Sequence, residues 1–213
     1  MLAIFLDIRN FLVVIVGAGS VARRKLQTLV GEGARIRMVA PQPRPEWFPE
    51  SHGEWWQGEY SAEVLTGASL VIAAATATVN QVVVADALAR GLWICDAAEP
   101  DRGNVYFPAT LQQGRLTVAV STGGVAPALA VQIRDRLAED FDESFHRWLE
   151  LLAEVRPHVR AQIRNSRRRG ELLRDFARWK WLQALRRYGY GPVRDKMLKI
   201  VSAASVEAGD QES

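Results

Sequence analysis

The stretch VVIVGAGSVARRK, residues 13–25, passes from branched apolar residues through Gly17-Ala18-Gly19 into a helical pattern. The continuous run FLVVIVG over 11–17 predicts a strand covered on both faces. Beyond the glycines, Val21, Leu26, Leu29 and Val30 recur at helical spacing, and Gly31 and Gly33 stop the pattern. ARIRMVAP, 34–41, predicts a second strand closed by a proline. Strand, glycine turn, helix and strand make one βαβ unit. Gly17, Gly19 and Ala22 stand as G-x-G-x-x-A. In that pattern the first glycine permits a tight turn, the second lets the backbone approach a pyrophosphate, and the small third residue lets helix and strand pack closely. The helix amino terminus then faces the phosphate charge. Such a match is informative only between a strand and a helix, and that is where this one sits.

Outward from this unit the alternation continues. EWWQGEY (54–60) predicts a short strand, SLVIAAAT (69–76) a strong one, TVNQVVVADALARG (78–91) a helix and LWICDA (92–97) a strand. Strands alternating with helices predict an α/β fold with a doubly wound parallel sheet. After residue 112 the pattern changes. GRLTVAVSTGG (114–124) predicts a strand ending in glycines, and APALAVQIRDRLAEDF (126–141) a helix with Pro127 in its first turn. From Glu143 the chain is helical and amphipathic, with Trp148, Leu149, Leu152 and Val155 apolar. Pro157 predicts an interruption or restart, NSRRRGE (165–171) a break, and SAASVEAGDQES (202–213) a frayed end.

The 213 residues are 48% hydrophobic and 24% charged, the balance of a soluble globular protein. A single cysteine, Cys95, excludes an internal disulfide and is expected to be a buried thiol at the end of a core strand. MLAIFLDIRN is too short and too soon charged for a signal peptide. The apolar region 70–89 holds Thr76, Asn80, Gln81 and Asp86, so it is expected to be strand and helix rather than a membrane span. A cytoplasmic protein without membrane contact is the expectation. The net charge of +3 is unevenly placed, with arginines such as Arg156, Arg160, Arg164, Arg167, Arg168 and Arg169 crowding the last third. They predict a solvated face first, or a surface for an anionic partner. No nucleic-acid reader motif accompanies them, so nucleic acid is not the expected partner. His52, His146 and His158 are scattered and predict no metal site. Trp47, Trp55 and Trp56 read equally as core or as pocket wall.

The candidate cofactor contacts are Gly17, Gly19, Ser20, Val21, Pro41, Gln42 and Thr76. The acidic residue usual at the end of the second strand is missing. Ala40, Pro41 and Gln42 stand there, with Arg44 just beyond, which weakens the discrimination of NAD from NADP. DAAEP (96–100) puts Asp96 and Glu99 past the carboxyl end of a strand, where open α/β sheets bind ligands. Either carboxylate there is suited to act as a general base, or to cap a loop. Ser121, Thr122, Gly123 and Gly124 form a second glycine turn before a helix. It reads as an anion site or as a plain N-cap.

VVIVGAGSVARRK, GARIRMVAP, LVIAAATATVN, CDAAEP, YFPAT and GRLTVAVSTGGVAPALAVQIRDRLAE occur in an order and spacing that resembles the siroheme-synthase amino-terminal family, the precorrin-2 dehydrogenases and sirohydrochlorin ferrochelatases. The resemblance covers about residues 2–141. It implies a Rossmann-like NAD-binding domain over 1–112, a small α/β dimerisation segment over 113–145 and a helical domain over 146–213. It further implies a homodimer in which NAD takes the hydride as precorrin-2 becomes sirohydrochlorin. The family's aspartate near the nicotinamide falls at Glu99 when the loop is aligned through Cys95 and Ala97-Ala98, and Asp96 falls where the family often has asparagine. Thr122 falls where some relatives carry a serine in the substrate pocket. Iron insertion is not the expected main activity, since no histidine cluster announces a metal path. A dinucleotide-sensing module without catalysis is the alternative.

Overall fold

The computed structural model describes the backbone of residues 1–209 and side chains through Ser205. Two compact units divide it, Met1–Phe107 and Pro108–Ser213. The first is built on five strands, β1 (Leu12–Val16), β2 (Arg35–Ala40), β3 (Gly53–Gln57), β4 (Leu70–Ala73) and β5 (Trp93–Asp96). All neighbours pair in parallel, in the order β3-β2-β1-β4-β5. All of β1 is buried, as its unbroken apolar run requires of a central strand. Its alternate residues feed two layers. Val13 and Ile15 pack with Ala22, Leu26 and Leu29 of α1 (Ser20–Gly31). Val14 and Val16 pack with Val83, Val84 and Ala87 of α2 (Ala77–Ala89).

The chain winds outward from β1 through β2 to β3, then crosses back to lay β4 on the other side of β1. The reversal between β1 and β4 is the topological switch point, and the crevice at the carboxyl ends of these strands is the place such sheets offer a ligand. The sheet is the Rossmann-like arrangement expected from the alternation of elements.

The second unit opens with a hairpin, β6 (Ala109–Gln113) and β7 (Leu116–Val120), paired antiparallel. The sequence shows only the second strand, because Thr110, Gln112 and Gln113 mask the alternation of the first. The hairpin turn requires Gly114, whose φ is +56° and whose added Cβ would fall 1.8 Å from His146 Nδ1. Helices α3 (Pro127–Asp140), α4 (Glu143–Gln162), α5 (Ser166–Phe176), α6 (Trp179–Tyr188) and α7 (Tyr190–Gly209) follow. Leu151, Val155, Val159 and Ile163 form a buried stripe against Phe176, Leu182, Leu185, Met197 and Val201.

Two expectations fail here. Pro157 does not interrupt α4, which runs through it on an exposed turn while the buried stripe holds the helix together. The break expected over 165–171 is displaced, overlapping the observed one only at Asn165. The helical gap is confined to residues 163–165, where the Asn165 side chain accepts a bond from the Arg168 amide and caps α5. Phe176 then anchors that helix in the core despite Gly170. The frayed end expected over 202–213 is helical to Gly209, and its remainder, 210–213, lies outside the described residues. Proline inside a helix loses one bond and crowds the preceding turn. Pro157→Ala is therefore expected to stabilise the protein by about 1–3 kcal/mol, read as a higher temperature of unfolding by calorimetry. An unchanged or lower temperature would show that the turn is already relaxed around the ring.

Candidate functional site

The site is built at the turn from β1 into α1. Gly17 is buried with φ +111°, and a Cβ there would lie 2.3 Å from the Ala74 carbonyl oxygen. Glycine is thus demanded by the fold itself, which brings the ends of β1 and β4 together. Gly19 differs. Its backbone is extended, with φ −75° and ψ −177°, a conformation open to any residue, and an added Cβ would meet nothing within 4 Å. Neither strain nor packing within the chain asks for glycine at this position.

Gly19 is also the N-cap of α1 and so offers no side chain to cap it, and no acidic residue stands in the first turn. The amides opening the helix, around Ser20 and Val21, keep their positive end for an external anion. Beside this turn lies a cavity of about 360 Å³ lined by Ala18, Gly19, Gln42, Pro43, Pro45, Trp47 and Trp55. The two indoles meet edge to face, 6.4 Å between centroids, and Trp55 Nε1 donates to the Gln42 carbonyl oxygen at 3.2 Å. An open glycine, an uncapped helix start and an apolar aromatic slot are suited to the diphosphate and adenosine of a dinucleotide. Gln42 belongs to this slot, while Pro41 is exposed beside it and does not line it.

At the ends of β4 and β5 the polar residues are linked. Thr76 is the N-cap of α2, though its hydroxyl makes no capping bond. Asn80, buried on the inner face of α2, accepts from the Ala75 amide at 2.8 Å and donates to Asp96 Oδ1 at 3.2 Å. The same oxygen of Asp96 accepts from the amides of Ala98 and Glu99 at 2.9 and 3.2 Å. Asp96 is fully buried, and its Oδ2 has no hydrogen-bond partner among the described residues. Glu99 is exposed, with Oε2 2.8 Å from Arg102. One carboxylate of the pair therefore organises the loop, and the other is held out on it.

Lys25 lies with Nζ 3.7 Å from the centroid of the Phe107 ring. Burial lowers the Lys25 pKa and raises that of the Cys95 thiol, so Cys95 stays protonated near neutral pH. Asn80 was legible as a polar residue on an otherwise apolar helix face, and its place in the loop network is what the sequence reading missed.

Ser121, Thr122, Gly123 and Gly124 belong to the second unit. Ser121 Oγ accepts from the Gly123 amide at 3.2 Å, and Thr122 Oγ1 accepts from the Ala126 amide at 3.1 Å. Both glycines have positive φ, +64° and +86°. The helix starts only at Pro127, with Ala126 as N-cap, so neither hydroxyl caps it and the turn precedes the helix rather than forming its first residues. A larger hollow of about 570 Å³ lies along α7, at Gly191, Pro192, Asp195, Lys196 and Lys199. A single helix supplies those residues, and among the described residues no polar group of another element lines the hollow.

A family model described as NAD(P)-binding matches residues 4–109, and one for the central part of a sirohaem biosynthesis protein matches 113–139. The siroheme synthase of Photorhabdus laumondii is 31% identical over 79% of this chain and 37% of its own length. The precorrin-2 dehydrogenase of Priestia megaterium is 27% identical over 83% of this chain and 89% of its own. A solved structure, SirC, precorrin-2 dehydrogenase, superposes with a TM-score of 0.76 at 24% identity, covering 95% of this chain and 100% of that one. The chain thus spans little more than a third of the siroheme synthases it resembles and most of the shorter dehydrogenase.

Proposed function

Because the chain belongs to the family of the precorrin-2 dehydrogenases and siroheme-synthase amino-terminal parts, we propose that it oxidises precorrin-2 to sirohydrochlorin with NAD. The observation that carries this reading is Gly19, a glycine that its own fold does not need, at the mouth of an aromatic slot. When bound, the nicotinamide ring supplies the hydride acceptor.

The protein's own part is binding, orientation and proton removal. The amides at the start of α1 hold the diphosphate, and Gln42 flanks the adenosine, with Pro41 exposed beside the slot. Thr76 stands at the neighbouring strand end. Glu99 accepts the proton that leaves a substrate carbon as the hydride departs, through its exposed carboxylate. Asp96 acts as a positioning residue, tying the Glu99 amide and Asn80 to one oxygen. The substrate is a polycarboxylate, and the turn Ser121–Gly124 with arginines of the helical part offers anion-binding groups of the right type. Positioning is the larger contribution, since the gain in conjugation itself favours the oxidation.

A homodimer is part of the proposal, through residues 113–145. Of α3 only Ala130 is buried; Leu129, Val131 and Ile133 on the helix and Val125 just before it are exposed. A two-stranded hairpin with so little cover is marginal by itself. A second copy completing that layer accounts for both features.

The test is an anaerobic assay with NAD and freshly prepared precorrin-2, followed by absorbance. Formation of sirohydrochlorin at a rate proportional to enzyme is expected. NAD binding without turnover would replace this reading with the dinucleotide sensor.

A further inference from the structure

We infer that the adenosine slot of the first unit accepts a 2′-phosphate, read by Arg23, so that NADP binds more tightly than NAD. The inference rests on the dinucleotide reading of that slot and goes beyond it.

Discrimination against NADP ordinarily comes from a carboxylate at the end of the second strand, which bonds the ribose hydroxyls and repels a phosphate. Here β2 ends in Val39-Ala40 and runs into Pro41-Gln42-Pro43. Of the carboxylates between Gln42 and Trp55, Glu50 pairs with Arg44 and Glu54 with Arg37, and Glu46 is exposed.

Two arginines stand near enough in sequence to take the opposite role, and the structure separates them. Arg44 is consumed by its own loop. It donates to the carbonyl oxygens of Phe48 at 3.1 Å and Gly53 at 3.3 Å, and to Glu50 at 3.2 Å. Arg23, one turn into α1, is exposed, and its guanidinium carbon lies 5.6 Å from the centroid of the Trp47 ring that walls the slot. It makes no ion pair among the described residues. A planar cation resting on the aromatic wall of an adenosine slot, with no hydrogen bond from its guanidinium among the described residues, is matched to a phosphate on the ribose.

The test uses two small probes, 2′,5′-ADP and 5′-AMP, with NADP and NAD beside them, titrated against the whole chain. Trp47 and Trp55 report occupancy by quenching of indole fluorescence, and calorimetry gives the affinities. The phosphorylated probe is expected to bind at least about tenfold more tightly than 5′-AMP at low salt, a margin that shrinks as salt rises. Arg23→Ala should erase that margin and lower the NADP-to-NAD affinity ratio at least tenfold. Arg24→Ala, which removes the same charge one residue on, should leave the margin in place. Equal affinities, or a preference for 5′-AMP and NAD, would overturn the inference while leaving the dinucleotide site standing. Failure of all four ligands to bind would remove the site and the inference together.

Discussion

Gly19→Asp is expected to weaken dinucleotide binding by 100-fold or more, roughly 3 kcal/mol or above, while the protein stays as stable as before. The two halves of this result have separate causes. Binding is lost because a carboxylate occupies the space left by the glycine and sets its charge against the diphosphate. Stability is kept because an added Cβ there meets nothing within 4 Å among the described residues and the backbone is already extended. Aspartate is in fact a favoured residue at a helix N-cap, and its charge suits the amino end of α1. Thermal unfolding without ligand should therefore be unchanged or slightly raised, and the shift produced by added NAD should vanish. If the variant binds the dinucleotide normally, the diphosphate does not rest at this turn. If it unfolds instead, the space beside Gly19 is not open to a side chain. Gly17 makes the contrast, since a side chain there strikes the Ala74 carbonyl and harms the fold before it harms a ligand.

The second large effect belongs to the loop after β5. Glu99→Gln is expected to lower kcat by about 100-fold or more and to leave the NAD affinity in place, since the amide keeps the shape and loses the base. Asp96→Asn should cost much less turnover. It retains the oxygen that accepts from Asn80, Ala98 and Glu99, and it replaces an oxygen that has no partner among the described residues. Asp96→Ala removes that acceptor and should reduce stability by about 1–3 kcal/mol, seen in denaturant unfolding. Single-turnover absorbance under anaerobic conditions separates the chemical step from binding. Should Asp96→Asn prove the damaging change and Glu99→Gln the mild one, the roles of the two carboxylates are reversed.

Much of this molecule was legible because burial leaves a local record. The run Leu12–Val16 announces a strand covered on both sides, and the spacing of Ala22, Leu26 and Leu29 announces the helix that covers one of them. The record fades where polar residues are buried or apolar ones are scarce. The strand Ala109–Gln113 carries glutamines, so its alternation is silent, and its partner is what makes it a strand. Pro157 and Gly170 are local warnings that packing overrides, through Val155, Val159 and Phe176 in one core. In the sequence Trp47 and Trp55 read equally as core or pocket, because composition alone does not say which face of a loop meets the solvent.

By itself the sequence determined the parallel alternation of strands and helices, the glycine turn at its centre and the loop that carries two carboxylates. Each of these is written in neighbours along the chain, where backbone preference and periodic burial act. Tertiary structure alone decided which carboxylate is buried and which is presented, and which arginine is bonded within its own loop and which rests on an indole. Those outcomes turn on Asn80 reaching Asp96 across two elements and on Arg44 reaching Gly53 across a loop. A charged side chain's role is set by the partners that folding brings to it, and those partners are distant in the chain.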